Sequence, residues 1–400
     1  MPEAMTEVGS ARRIVLPGVG MVAVSFGLAR YGYGLLLPEM QDELGLTPAA
    51  AGLVSSGSYL SYLLANTGVV WVTGRYGPRV AIGLAAVAGA AGMAVIAGAD
   101  SALWLAVGVL VAGAAAGFAF PPYAELVARR VSQRHRDGAW SAISSGTGWG
   151  VAIAGPIAIA AGERWRVAWM VFVGIAVLVG VAAMLLAPQH RDEQLRPPQL
   201  SWSWFLCPRS RPLLVSAVLV GAGSAVWWVF SVDALRQSGI DAGAARIVYA
   251  VCGVAGILAS LSGVAFARFG LRVGYLVACL LLAGSLALLG TATGHLPAAF
   301  VAAVLFGVFY NGVVAAHGIW SSRVFADHPG AGLAAVNTAL TIGTLAGPVI
   351  AGAAIASVGY APTLVGAAGV IAAALVFCPP GANRQEVLAA HRCSAAPVRP

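Results

Sequence analysis

The chain has 400 residues, of which 59% are apolar and 10% charged, whereas soluble domains carry about 25% charged residues. Twelve membrane spans of roughly 20 residues need about 240 residues, so the composition predicts a polytopic helical membrane protein and excludes a water-soluble enzyme. All 23 basic residues are Arg, which excludes sites built on lysine, such as a Walker phosphate site or a Schiff base.

Twelve apolar stretches predict the membrane spans, in chain order. Their bounds are 14–37, 50–73, 79–98, 102–128, 139–161, 166–187, 213–233, 243–266, 272–292, 297–322, 332–355 and 360–378. The first stretch is too long for a signal-peptide core and is interpreted as a retained helix.

The arginines are distributed unequally between the two predicted sides of the membrane. Eighteen lie on the side of the N-terminus, four lie on the other side, and Arg30 falls inside a span. The positive-inside rule then predicts that both termini are cytoplasmic. The formal charge of +8 therefore gives no reason to expect nucleic acid. The lysine-free, Ala- and Gly-rich usage points to a bacterial plasma (inner) membrane.

A polar segment at 188–211 interrupts the apolar pattern and predicts a cytoplasmic linker. It divides the chain into an N-terminal six-helix bundle at 1–187 and a C-terminal six-helix bundle at 212–378, followed by a cytoplasmic tail at 379–400. Of the five cysteines, none lies in an external loop and no two form a CxxC motif, so a disulfide framework is not expected.

The two halves repeat one design at an offset of 192 to 194 residues. RYGPR at 75–79 corresponds to RFGLR at 268–272, and the Gly-Pro pair at 155–156 corresponds to that at 347–348. Thr47 and Asp241 correspond as N-cap residues for the second and eighth spans. Six spans per half keep both halves in the same orientation, so the repeat is parallel, about an axis along the membrane normal.

These motifs resemble the major facilitator superfamily (MFS) of secondary transporters over essentially the whole chain. Its loop after the second span reads G-x-L-a-D-R-x-G-R-R, and Arg75, Gly77 and Arg79 match the R-x-G-x-R portion. Gly74 stands in place of the family's Asp. In the second copy Arg268, Gly270 and Arg272 match, and Ala267 replaces the Asp. The opening stretch FGLARYGYGLLLPEMQDELGLT also resembles the uncharacterised YbfB-like branch. The resemblance implies gating roles for these cytoplasmic loops, although plain positive-inside anchoring accounts for the same arginines.

The resemblance further implies that spans one, four, seven and ten line a central cavity. A charge inside a span is costly and usually functional. Arg30 is therefore the leading candidate for binding an anionic substrate, with Tyr31 and Tyr33 offering hydroxyls. The alternatives are that Arg30 snorkels outward or pairs with Asp233.

Other span residues complete the candidate site. Substrate-binding candidates are Trp227, Trp228, Tyr310 and Asn311, although Trp227 and Trp228 also suit a lipid-facing belt. Proton-coupling candidates are Glu125, His317 and Asp233. For Glu125 the alternative is an ion pair with Arg129, and for His317 a neutral packing role. GxxxG spacings at Gly146–Gly150 and Gly343–Gly347 predict close helix packing.

The sequence thus predicts an all-α membrane protein with twelve transmembrane helices in two six-helix bundles. The predicted function is secondary active transport of a small anionic or zwitterionic metabolite by alternating access, coupled to protons or another ion. The alternative is a proton-driven multidrug or natural-product efflux pump. A non-transporting membrane sensor and an intramembrane enzyme are the alternatives from other classes. No cofactor, metal or nucleic acid is expected; the expected partners are the small-molecule substrate and the lipid bilayer, and the protein is expected to be a monomer.

Overall fold

The computed structural model describes residues 13–186, 208–258, 262–326 and 329–381. Within these ranges the chain forms twelve helical spans, α1 to α12. Their bounds are: α1, in three pieces, Arg13–Leu28, Gly32–Leu35 and Leu37–Leu44; α2, Pro48–Tyr76; α3, Pro78–Ala97; α4, Ala102–Arg130; α5, Arg136–Ala161; α6, Trp165–Leu186; α7, Ser210–Gln237; α8, in two described pieces, Ala242–Ile257 and Ser262–Phe269; α9, Leu271–Thr291; α10, Leu296–Val324; α11, Pro329–Val358; and α12, Tyr360–Ala373 with a 3₁₀ turn at Ala374–Val376.

Length and hydropathy identify most of these helices as membrane spans. Eight of them, α3 to α7 and α9 to α11, are long and apolar enough to cross a bilayer. The apolar pieces of α1, α8 and α12 are shorter, and the 29 residues of α2 are more polar. The twelve-helix membrane fold predicted from the sequence is confirmed. The predicted linker at 188–211 and tail at 379–400 fall largely outside the described residues, as do Cys207 and Cys393.

The predicted helix starts have the expected caps in both halves. The Thr47 hydroxyl accepts a hydrogen bond from the Ala50 amide at 3.2 Å. The Asp241 carboxylate accepts from the amides of Gly243 and Ala244 at 2.8 and 3.1 Å. These bonds satisfy amides that have no partner inside the helix.

The same helix pairs pack together in both halves when six is added to each helix number. In the first bundle α1 packs on α5, α2 on α4, α3 on α4, and α3 on α6. In the second bundle α7 packs on α11, α8 on α10, α9 on α10, and α9 on α12. Between the bundles α2 meets α11 and α5 meets α8, which are equivalent pairs. The two six-helix bundles are therefore related as the internal repeat predicts.

The GxxxG segments lie where α5 meets α1 and where α11 meets α7. A Cβ added at Gly150 would lie 2.8 Å from the Cα of Gly27, and one added at Gly343 would lie 2.8 Å from the amide of Ala222. Only glycine lets the backbones come this close. These contacts confirm the predicted close packing in both halves.

The first span differs from the single helix expected over 14–37. It changes to π-helical hydrogen bonding at Ala23–Leu28, with bonds from Ala29 to Val24 at 2.8 Å and from Tyr31 to Phe26 at 2.9 Å. Two short helices then continue to Leu44. Such π-helical turns are frequent at functional sites. Here the irregular turn places Arg30 at the break.

We name the two membrane faces by their arginines. The arginine-poor face carries the connections α1–α2, α5–α6 and α7–α8, and the arginine-rich face carries the connections α2–α3 and α8–α9. The last piece of α1, Leu37–Leu44, extends beyond the predicted apolar span at the arginine-poor face.

Candidate substrate site between the two bundles

A narrow cavity lies between the bundles, where the break in α1 approaches α2 and α7. Both bundles contribute to its walls, which are formed by Arg30, Tyr31, Tyr33, Gly34, Ser55, Ser58, Tyr59, Val109, Trp228 and Val229. The cavity thus combines one cation, several hydroxyls and aromatic rings, as small-molecule sites do, but in this conformation its volume of about 10 Å³ has room for about one water molecule.

Arg30 is the charged group of this cavity, and aromatic rings hold it. Its guanidinium carbon lies 4.0 Å from the ring centre of Tyr59, 4.6 Å from that of Tyr62 and 5.6 Å from that of Phe26. Arg30 is 9% exposed, and its Nε is buried without a hydrogen-bond partner. The ion pairs found among the described residues do not include Arg30. Cation–π contacts therefore stabilise the charge without using a carboxylate.

Tyr31 and Trp228 join the two bundles beside Arg30. Their rings stack with centres 4.0 Å apart and an interplanar angle of 21°. The Tyr249 hydroxyl lies 2.9 Å from the Tyr31 carbonyl oxygen and 3.2 Å from that of Trp228. Gly34 packs so closely on the Trp228 carbonyl that a Cβ would not fit. One wall of the cavity is therefore also a contact between bundles.

The other predicted binding residues lie behind this wall, in the second bundle. Trp227 stacks on Phe306 at 4.5 Å, and Phe306 stacks on Tyr310 at 5.5 Å. Tyr310 contacts the cavity residue Trp228 edge-on, with ring centres 5.6 Å apart. Asn311 donates to the carbonyl of Gly307 on its own helix at 3.1 Å. Of the predicted binding residues, Arg30, Tyr31, Tyr33 and Trp228 line the cavity.

The three proton-coupling candidates occupy separate places. Glu125 pairs with Arg129 at 3.3 Å, one turn along α4. The His317 Nε2 lies 2.7 Å from the Ser216 hydroxyl, inside the second bundle. Asp233 accepts a hydrogen bond from Tyr360 on α12. The alternative that pairs Arg30 with Asp233 is therefore not what the structure contains.

The comparisons with known proteins agree with this architecture. The sequence profile described as Major Facilitator Superfamily matches residues 19–263, which is more than half of the chain. The chain belongs to the Major Facilitator Superfamily. Comparison with curated protein sequences finds no match.

Solved structures of MFS-type transporters share the fold. A mutant of the nucleoside transporter NupG superposes with a TM-score of 0.75 at 13% identity, covering 91% of this chain and 98% of that one. A bacterial homologue of the human lysosomal transporter Spinster, solved inward-facing and unoccupied, superposes with a TM-score of 0.71 at 16% identity, covering 92% and 94%. At 13% and 16% sequence identity, these matches show a shared fold only.

The MFS loop motif has the same local geometry in both halves. Gly77 and Gly270 have φ of 86° and 82°, a region that favours glycine, and each directly precedes a helix. Arg75 lies over Tyr76 at 5.7 Å, and Arg268 lies over Phe269 at 5.5 Å. Arg79 and Arg272 are the second residues of α3 and α9. The glycine turn therefore sets one arginine on either side of each loop.

Sequence reasoning missed the contribution of α2 to the site. Ser55, Ser58, Tyr59 and Tyr62 follow the spacing i, i+3, i+4, i+7, which places them on one face of a helix. That polar stripe in an apolar span was a usable signal. Glu39 was also missed, because its partners lie far along the chain.

Proposed function

We propose that this MFS protein is a secondary active transporter that moves a small anionic or zwitterionic metabolite by alternating access. The observation that carries the proposal is Arg30, a buried cation in the inter-bundle cavity with no carboxylate partner among the described residues. An acidic group of the substrate would supply the missing counter-charge.

The rings around Arg30 favour binding along one direction. Tyr59 and Tyr62 lie against the guanidinium at 4.0 and 4.6 Å, so the N–H groups along its edge are what a ligand can reach. A carboxylate accepts two parallel hydrogen bonds from such an edge, and an ammonium group cannot reproduce this geometry. The hydroxyls of Ser55 and Ser58 line the same cavity and can bind further polar groups.

Coupling to a proton is part of the proposal, and Asp233 is the favoured site. It lies five residues after Trp228 on α7 and is 1% exposed. Its hydrogen-bond partner Tyr360 is a phenol and not an arginine. Glu125 already has an arginine beside it, and His317 contacts its own bundle. Both are therefore less suited to a carrier at the cavity.

The proposed setting is a bacterial plasma membrane, with the arginine-rich face and both termini in the cytoplasm. The proposed form is a monomer that binds its substrate from the aqueous phase.

The first experiment finds a substrate for the purified protein. Thermal unfolding is measured across a panel of small carboxylates, amino acids and cationic drugs, because a ligand that binds the folded state raises the unfolding temperature. Hits are then tested for flux in liposomes with and without an imposed pH gradient. Carboxylate or zwitterion hits that are transported support the proposal, whereas stabilisation and transport of cations alone would favour the efflux alternative.

The second experiment tests Arg30 with that substrate. We expect Arg30→Lys to weaken binding and Arg30→Ala to abolish most transport, while both variants fold and insert. Arg323→Lys is the matched control, because this exposed arginine lies in the last turn of α10 at the arginine-rich face, away from the cavity. Full transport by Arg30→Ala would refute the role of Arg30.

A further inference from the structure

Three charged side chains, two of them buried, form a cluster where the two bundles meet at the arginine-poor face. Glu39, near the end of α1, accepts a hydrogen bond from Arg236 at the end of α7 and forms an ion pair with Arg246 at the start of α8. The distance from Arg246 Nη2 to Glu39 Oε1 is 2.8 Å, and the side chains of Arg246 and Glu39 are 4% and 5% exposed. We call Glu39, Arg236 and Arg246 the outer ion triad.

The outer ion triad connects opposite bundles. Glu39 belongs to the first bundle, and both of its arginines belong to the second. Arg246 also donates to the carbonyl of Gly162, which ends α5 in the first bundle, at 2.9 Å. One buried guanidinium thus contacts two elements of the facing bundle, so separating the bundles here would break every one of these bonds.

A neighbouring carboxylate on the same helix provides a contrast. Glu43 lies one turn after Glu39, but it accepts from the Trp165 indole at 2.6 Å and from Arg166, both on α6 of its own bundle. Arg166 donates in turn to the carbonyl of Ala99, also in the first bundle. Glu43 therefore stabilises one bundle, whereas Glu39 stabilises the contact between the two.

The close approaches between bundles lie from mid-membrane to this same face. Gly34 meets the Trp228 carbonyl, Gly52 meets the Pro348 carbonyl, and Gly155 packs against Ala250. The two pieces of α1 after its break, Gly32–Leu35 and Leu37–Leu44, pack on α7 of the other bundle. The bundles are thus in contact at the arginine-poor face, and the outer ion triad lies within that contact.

We propose that the outer ion triad is the device that holds the arginine-poor face closed during the transport cycle. When the bundles separate at this face, Glu39 exchanges its two arginines for water, and the arginines are hydrated in turn. When they close again, charge pairing offsets the loss of hydration only while Glu39 is present to pair with its arginines. Removing Glu39 leaves Arg246 buried and unpaired in the closed state alone, so that state loses stability relative to the open one.

The test measures the distance across this face and needs no substrate. Spin labels are placed at Asp100→Cys, between α3 and α4, and at Gly294→Cys, between α9 and α10, after the five native cysteines are replaced by alanine. A Cβ at Gly294 would have its nearest neighbour at 3.8 Å, so the substitution fits. Double electron–electron resonance in nanodiscs then gives the populations of short and long distances.

We expect Glu39→Gln to raise the ratio of open to closed protein by roughly 100-fold, since breaking a buried pair has a large effect. Glu43→Gln is the matched control and should keep the wild-type distances. Arg236→Gln, which removes the more exposed partner, should shift the ratio in the same direction by less.

Two results would overturn the proposal. One is a wild-type distance distribution in Glu39→Gln, and the other is equal opening in Glu43→Gln, which would assign the effect to any loss of charge at this face. If Glu39→Gln fails to give folded protein by size exclusion, Arg236→Gln decides alone, and its retention of the wild-type distribution would refute the idea.

Discussion

Replacing Tyr59 by leucine should remove a cation–π contact that stabilises the Arg30 guanidinium in the cavity, and the structure sets the expected coupling free energy. The guanidinium carbon lies 4.0 Å from the ring centre, Tyr59 is 2% exposed, and Arg30 is 9% exposed. A cation–π contact is worth about 0.5–1 kcal/mol when exposed and about 2 kcal/mol when desolvated. Because both partners are buried, we expect a coupling near the upper value.

A double-mutant cycle isolates this coupling. The free energy of unfolding is measured by denaturant titration in mixed micelles for the wild type, Arg30→Met, Tyr59→Leu and the double variant. The coupling is the part of the double change that the two single changes do not explain. Tyr59→Phe should keep most of it, because the ring remains.

Arg268 and Phe269 provide the control cycle. Their separation is 5.5 Å, and Phe269 is 62% exposed, so the expected coupling is about 0.5 kcal/mol or less. If the Arg30–Tyr59 coupling is no larger than this control, the rings do not stabilise Arg30, and the account of how an arginine without a carboxylate partner is held in the cavity is wrong.

Three further predictions concern stability. Gly150→Leu should destabilise the fold by at least 1–3 kcal/mol through overpacking of α5 on α1, whereas Gly174→Leu, with open space around it, should change the unfolding free energy little. Asp241→Ala should cost about 1 kcal/mol in the same titration, because it removes the N-cap of α8. The hydrogen bond from Arg166 lowers the pKa of Glu43, which lies beyond the apolar span. The stability that ionised Glu43 contributes is therefore present above the unfolded-state pKa and is lost as the pH falls through the lower folded-state pKa. On acidification the unfolding temperature of the wild type should drop more than that of Glu43→Gln, and parallel curves would contradict this assignment.

Local patterns in the sequence determined the spans and the repeat. A run of apolar residues needs no partner to indicate a membrane helix. Thr47 and Asp241 cap the amides of their own helix starts, and the glycine spacing in α5 and α11 predicts close packing without saying which helix approaches. These features depend on residues within a few positions of one another, so they were predictable.

The partners of charged and aromatic residues were decided by the tertiary structure. Glu39 lies 197 residues from Arg236, and Asp233 lies 127 residues from Tyr360. The helices of this protein are apolar around most of their circumference, so hydrophobic periodicity does not tell which side faces a cavity, a neighbouring helix or lipid. His317 illustrates this, because its position in a span was evident but its contact with Ser216 depends on how α10 is rotated against α7. The pairing of Glu39 with the second bundle and of Glu43 with the first has the same origin: the carboxylates are one helical turn apart, and only the packing of α6, α7 and α8 around α1 selects a different arginine for each.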